Sequence, residues 1–413
     1  MPVDLKQIGP PRQYPPRGPA LWVWLIVWLT CAFLIDGAVL LLWPKNTPAQ
    51  GAWFWWLVAG LPNAVFLAIV AWSRADYESR HLHVLYYNDH RERRRIQLIE
   101  DGQRSLKMLG YGYELPLERG TLAETVAQGK RLLKAQPSRD ETAIVRHLRL
   151  PDDVEHDVRE KRLAQVLQPS SLTREGRLYA RLLAPMIDLI ETLAAAGAPP
   201  AVRLVVADRA AVEKALEQAR FVLSALDLPA LECKAVLGSD GLMPIDAWLD
   251  ANELRPLVVM AATLHDVPPA ESTEGGVVLL LAPESLYLPR ELESCATIHR
   301  PVSSLAGELG EGVALALLWG KAAPLSVEHA WVTGFTEGQH TLIGEACRRT
   351  GVERLAAHAS RYNPDSVVGH AGGAAGWLAI AAAVEHGAES SQLILNCART
   401  MQAAIVRAHR TQA

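Results

Sequence analysis

One stretch of the chain carries residue types that could do chemistry: Asp365-Ser366-Val367-Val368-Gly369-His370-Ala371-Gly372-Gly373-Ala374-Ala375-Gly376. A strand or loop here would deliver the His370 imidazole to the mouth of a helix over 377–386. Glycine lets backbones approach closely and alanine favours helix without bulk, so that helix should be buried and tightly packed. An imidazole so placed could stabilise a developing negative charge. Ser239, beside Asp240, could be argued as a nucleophile, but no histidine is placed by sequence to activate it. A lone Gly-His pair is a weak signal, and the competing reading is a core helix preceded by a structural histidine.

The elements that must position these residues alternate. Residues 178–196 form an amphipathic helix with Leu182, Leu183, Met186, Leu189, Ile190 and Leu193 on one face, ended by Gly197 and Pro199-Pro200. Strands are expected at 202–207, 233–237, 257–262 and 276–282, and helices at 210–226 and 242–252. That alternation predicts an α/β layered domain over 170–413.

The first part of the chain is different. Residues 21–43 are apolar apart from Thr30 and Asp36, long enough to span a bilayer. A second span is expected within 52–72, interrupted by Pro62 and Asn63, giving a transmembrane hairpin over 21–73. Trp22, Trp24, Trp43, Trp53, Trp55, Trp56 and Trp72 lie near the ends, where an indole prefers the interface. The run is too long for a cleaved signal peptide and a second follows it. Lys6, Arg12 and Arg17 precede the pair and Arg74, Arg80, Arg91, Arg93, Arg94 and Arg95 follow it, while the connecting loop carries only Lys45. The positive-inside rule then puts both termini and the C-terminal domain in the cytoplasm. Asp36 is expected to pack against the other helix rather than to serve ions.

Residues 1–20 are proline-rich and predict an irregular cytoplasmic arm. His81, His83 and His90 lie beside the arginine cluster without carboxylate or cysteine geometry for a metal. A solvated juxtamembrane helix touching anionic lipid is the preferred reading. Residues 74–169 are expected to form a small helical or α+β adaptor region, with Gly110-Tyr111-Gly112-Tyr113 as a turn or strand edge. Among 413 residues the formal net charge is -4, which argues against a nucleic-acid partner. The five cysteines, Cys31, Cys233, Cys295, Cys347 and Cys397, are scattered without a C-x-x-C pair. They fit a reducing compartment and give no zinc pattern, and neither metal nor cofactor is expected.

The stretch around His370 resembles the Lys-Ser-x-x-Gly-His-x-x-Gly-Ala-Ala-Gly signature of the β-ketoacyl synthases of the thiolase-like superfamily. Ser366, Gly369, His370, Gly373, Ala374, Ala375 and Gly376 match it, and Asp365 stands where the family has lysine. The resemblance covers about 175–413. It implies that a strand ends at Leu237 and leads to a nucleophile position at the head of a buried helix, which Gly238 would occupy. It also implies a Gly-Glu-Gly-Ala-like turn at 274–281, with Gly310-Glu311-Gly312 as the competing candidate. Leu355-Ala356-Ala357-His358-Ala359 resembles the strand that ends in the family's first catalytic histidine, and 393–406 resembles its closing strands.

Condensation of acyl groups needs a thiolate to carry the chain, two imidazoles, and a supporting lysine. By this resemblance His358 and His370 are remnants, while the cysteine and the lysine are lost at Gly238 and Asp365. Cys233 precedes its strand and is expected to be a core thiol. The expectation is a membrane-anchored, catalytically inactive adaptor for a protein partner. Such proteins resemble accessory proteins encoded with bacterial type VI secretion effectors. The alternatives are an acyl-thioester enzyme using His358 and His370, or an acyl-chain sensor. The family resemblance also implies a homodimer.

Overall fold

In the computed structural model the described residues are 3–16, 18–45, 48–139, 141, 143–151, 172–357 and 360–409. His358 lies outside them, as do residues 152–171. The chain divides into two units, with the boundary between Leu98 and Ile99.

In the first unit, α1 (Leu21–Leu42) and the helix starting at Ala52 are each long and apolar enough to cross a membrane. Twenty-two residues at 1.5 Å each give α1 about 33 Å. The second helix passes through a π-helical turn, Trp56–Gly60, into α2 (Leu61–Gly102). Pro62 lacks an N–H and its ring crowds the preceding turn, which the wider π turn relieves. Asn63 is used twice: Oδ1 accepts from Trp28 Nε1 at 2.9 Å, and Nδ2 donates to the Ala59 carbonyl at 2.7 Å. α2 then runs on about 45 Å past Trp72. Arg91 to Arg95 sit roughly 30 Å along the axis from Trp72. Within this cluster Arg93 is paired to Asp89 at 2.8 Å and Arg95 to Glu92 at 3.0 Å.

The second unit is a layered α/β domain. Its elements begin with β1 (Ser105–Glu114), α3 (Leu122–Gln128), β2 (Lys134–Pro137), β3 (Ile144–Leu148), α4 (Arg174–Leu183), α5 (Ile187–Ala195), β4 (Ala201–Val206) and α6 (Val212–Ala225). They continue with β5 (Cys233–Leu237), α7 (Met243–Asp250), β6 (Leu257–Thr263), β7 (Ser272–Thr273), β8 (Gly275–Pro283), β9 (Ala296–His299) and β10 (Val302–Ser304). The last are α8 (Leu309–Trp319), β11 (Val327–Thr333), α9 (His340–Arg349), β12 (Arg361–Tyr362), α10 (Ala375–His386), β13 (Ser391–Cys397) and β14 (Met401–Ala408). The main sheet runs β12-β11-β13-β14-β9-β1-β8-β6-β4-β5, with β10 on β14. Its two ends are parallel and its middle antiparallel. One apolar core gathers α3, α7 and α10 on strands from both halves, and the other gathers α4, α5 and α6. Every residue of α10 from Ala375 to Val384 is buried, as its composition predicts.

Five expectations change. Residues 110–113 lie in β1, paired with β8 and beyond the reach of β9, which pairs only with 105–108; among the described residues they are a strand with one open side rather than a turn. A Cβ at Gly110 would stand 2.7 Å from Leu189, and one at Gly112 2.9 Å from Pro185, so these glycines admit the helices above. With β1 and α3 in the core, and β2 and β3 pairing β7 in a second sheet, the layered unit begins near 99 rather than 170. The helix over 178–196 is broken by a 3-10 turn, Ala184–Met186, where Pro185 removes a donor. Gly310 to Gly312 sit inside α8 and cannot be the turn feeding a strand, whereas Gly275–Pro283 is a strand as expected. Glu353–Ala356 is a helical turn where the strand leading to His358 was expected.

Candidate functional site

The stretch 369–376 is held against three elements, and its glycines mark the contacts. A Cβ on Gly372 would meet Thr263 at 3.3 Å, whose Oγ1 donates to the Ala371 carbonyl at 2.7 Å. A Cβ on Gly373 would lie 2.9 Å from the Gly238 Cα, and one on Gly376 2.9 Å from Asn396 Cγ. The fold therefore brings together the two stretches singled out in the sequence, 238–241 and 370–376.

β7 aims His370. The His370 N–H donates to the Glu271 carbonyl at 2.8 Å, and the Thr273 N–H donates to the His370 carbonyl at 3.1 Å. The half-exposed ring places Nδ1 3.2 Å from Asp365 Oδ2. Asp365 also accepts from Thr333 Oγ1 at 2.7 Å and from the Gly334 N–H at 2.6 Å, which ties this turn to the end of β11. The hydrogen bond that His370 donates to Asp365 raises its pKa above the ordinary imidazole value, against the pull of burial. Asp365 thus orients the His370 ring and favours its protonated form.

The head of α7 departs from the sequence reading. After β5 a 3-10 turn, Gly238–Asp240, leads to Gly241 at φ 56°, ψ -120°, and the helix follows. A strained strand-to-helix turn of this kind is where a nucleophile is presented. The vertex is therefore Gly241, and Gly238 lies one turn earlier, against Gly373. Both positions are glycine, so neither supplies a thiol or hydroxyl.

The space in front of the vertex is filled. A Cβ on Gly241 would stand 2.3 Å from Gln402 Oε1 and 2.6 Å from Asn396 Nδ2. Gln402 Oε1 accepts from the Leu242 N–H at 2.8 Å and from Asn396 Nδ2 at 2.9 Å, while Gln402 Nε2 donates to the Asp240 carbonyl at 2.8 Å. Gln402 is fully buried and Asn396 4% exposed, paired across β13 and β14. An N–H at a helix start, suited to an anion or oxyanion, is thus satisfied by the protein itself. Sequence reasoning missed this pair, although a polar residue inside each of two apolar strands was a signal.

The other candidates stand elsewhere. Cys233 is at the far end of β5, about 13 Å of strand from Leu237. It is buried, its Sγ is 3.6 Å from the Leu231 carbonyl, and burial raises its pKa. The exposed Ser239 accepts the Arg399 N–H on its carbonyl at 3.2 Å. A cleft of about 320 Å³ beside Gly372 and Gly373 opens at the carboxyl ends of β4 and β6, with Glu175 and His265 on its rim.

Solved structures with the same architecture include ketosynthases. A ketosynthase from module 6 of the bacillaene synthase of Bacillus subtilis superposes with a TM-score of 0.54 at 11% identity, covering 75% of this chain and 71% of that one. An oxazolomycin ketosynthase domain from Streptomyces albus gives 0.52 at 12% identity, covering 75% of each chain. The layered unit has the thiolase-like fold of the β-ketoacyl synthases. A β-ketoacyl synthase from Burkholderia phymatum gives 0.50 at 14% identity, covering 74% of this chain and all of that one. No family model matches the sequence, and no curated protein matches it. At these identities the likeness is one of fold. Within this fold the Gly238–Gly241 turn and the His370 stretch meet, through the contact of Gly238 with Gly373.

Proposed function

We propose that the protein is a membrane-anchored, catalytically inactive ketosynthase-like adaptor. It holds a protein partner, an effector of a bacterial type VI secretion system, at the cytoplasmic face of the inner membrane. The observation that carries the reading is the Gln402 amide seated in front of Gly241. Condensation requires a covalently held acyl chain, and a glycine vertex closed by a buried amide has neither a nucleophile nor room for one. What such a domain retains is a stable layered surface tethered by two apolar helices. The secretion context rests on the resemblance to accessory proteins encoded with effectors. The two apolar helices and the arginine bias support the membrane placement. A homodimer is part of the proposal: β5 is the edge of the main sheet, and a second copy could pair with it.

The reading is tested with the full-length protein in a cell carrying a type VI system. Photocrosslinkers on the layered unit should trap an effector, and His370→Ala should leave that product unchanged. Light scattering on detergent-solubilised protein should give twice the chain mass. Acyl-thioester turnover by the purified protein, lost in His370→Ala, would overturn the adaptor in favour of the enzyme reading through His358 and His370.

A further inference from the structure

The N-terminal arm is fastened along α2 at three heights. Farthest from the spans, Arg91 Nε donates to the Gly9 carbonyl at 2.6 Å. In the middle, Asn88 grips the Arg12 backbone from both sides. Its Oδ1 accepts the Arg12 N–H at 2.9 Å, and its Nδ2 donates to the Arg12 carbonyl at 3.0 Å. The Arg12 guanidinium lies 4.1 Å over the Tyr87 ring, and its Nη1 is 2.9 Å from His83 Nε2. Nearest the spans, the Tyr14 ring packs on His81, which stacks on Tyr77. Pro10, Pro11, Pro15 and Pro16 stiffen the arm and lower the entropy lost on docking.

The Arg12–His83 contact has only one proton assignment. A guanidinium has donors and no acceptor, so His83 Nε2 must accept with its lone pair, and the ring is neutral. Protonation removes the lone pair and sets two cations against each other. Among the described residues no carboxylate bonds to either side chain. From α2 the neighbours one turn away are Arg80, already paired with Asp76, and Tyr86 and Tyr87, with Ser79 below. Farther along, Glu78 is paired with Arg74 and Asp89 with Arg93. From Ile8 to Tyr14 the arm brings Arg12 and no acidic residue, and Asp4 caps its own turn through the Lys6 N–H.

We propose that His83 is a proton-operated latch for the arm. Neutral, it holds residues 8–14 on α2; protonated, it lets them go. Because the arm leads directly into α1, the closed latch ties the start of α1 to the extension of α2 beyond the membrane.

Hydrogen exchange on the full-length protein in nanodiscs tests this. After correction for intrinsic rates, amides of residues 8–14 should lose protection several-fold between about pH 7.5 and about pH 5.5. His83→Gln keeps an acceptor but cannot take a proton, and should hold the arm at both pH values. Unchanged protection in the wild type, or the same loss in His83→Gln, overturns the latch. Should His83→Gln fail to hold the arm at either pH, Arg12→Gln decides. Loss of the pH dependence then supports the latch, and its persistence overturns it.

Discussion

Gln402 occupies the volume that any side chain at Gly241 would need. Its carboxamide oxygen lies 2.3 Å from where a Cβ would be, and it takes the Leu242 N–H at 2.8 Å. The two residues are mutually dependent: glycine at the vertex makes room for the amide, and the amide satisfies the helix head that the vertex exposes.

Gly241→Ala should therefore be severely destabilising. The left-handed backbone costs roughly 1–3 kcal/mol and the collision with Gln402 a similar amount. Denaturant unfolding should show a loss of about 2–5 kcal/mol. Gln402→Ala alone leaves the Leu242 N–H without its acceptor and costs about 1–3 kcal/mol. The double variant should lose clearly less than the sum of the two, since the small side chain relieves the clash. Simple additivity would mean that the two residues do not share this space.

Glu274 should be the most sensitive carboxylate. Only 2% exposed, it is gripped by Arg174 Nη1 and Nη2 at 2.8 and 2.5 Å and by the N–H groups of Leu150 and His265 at 3.0 Å each. Burial pushes its pKa up, but Arg174 and the backbone donors win and hold it below the ordinary value. Glu274→Ala removes the acceptor shared by Arg174 and the Leu150 and His265 N–H groups, while Arg174 keeps the Leu150 carbonyl at 3.2 Å. It should cost about 2–4 kcal/mol in denaturant unfolding, with Glu274→Gln costing less.

His370 should titrate above an ordinary histidine in a proton NMR titration, because Asp365 bonds to its charged form. Asp365→Asn should bring the value down. The folded pKa exceeds the unfolded one. Its stabilisation is therefore complete below the unfolded value and fades as pH rises through the folded one. The effect is small on a half-exposed ring. A value that does not move in Asp365→Asn would mean that the pair is not formed in solution.

Acid should act through His299 instead. The ring is 5% exposed, and neither nitrogen has a hydrogen-bond partner among the described residues. Burial first, and Arg407 next, lower its pKa from 6.5 to about 4. Here the unfolded chain binds the proton more readily. Stability is complete above about pH 6.5, falls between 6.5 and 4, and levels off below, by roughly 3 kcal/mol in all. His299→Leu should flatten that part of the thermal stability profile.

Much of this architecture was legible because burial writes periodicity into sequence. The apolar spans, the alternating elements and the small-residue helix after His370 all follow from it. β1 was hidden because Gly110 and Gly112 break the apolar pattern of a strand, and their cause is Pro185 and Leu189 packed above, far away in the chain. The vertex was placed at Gly238 because two glycines fall within one turn, and only the backbone angles single out Gly241. Gln402 showed in the sequence only as a polar residue inside an apolar strand. Its role exists only once β14 returns to the head of α7.

The central claim is tested most directly by intact-mass analysis of the full-length protein incubated with a medium-chain acyl thioester, with release of free thiol followed in parallel. The account predicts an unchanged protein mass and thiol release no faster than in buffer. A mass increase equal to one acyl group, together with thiol release that His370→Ala abolishes, would contradict it. That result would mean that a nucleophile other than the vertex residue serves this fold.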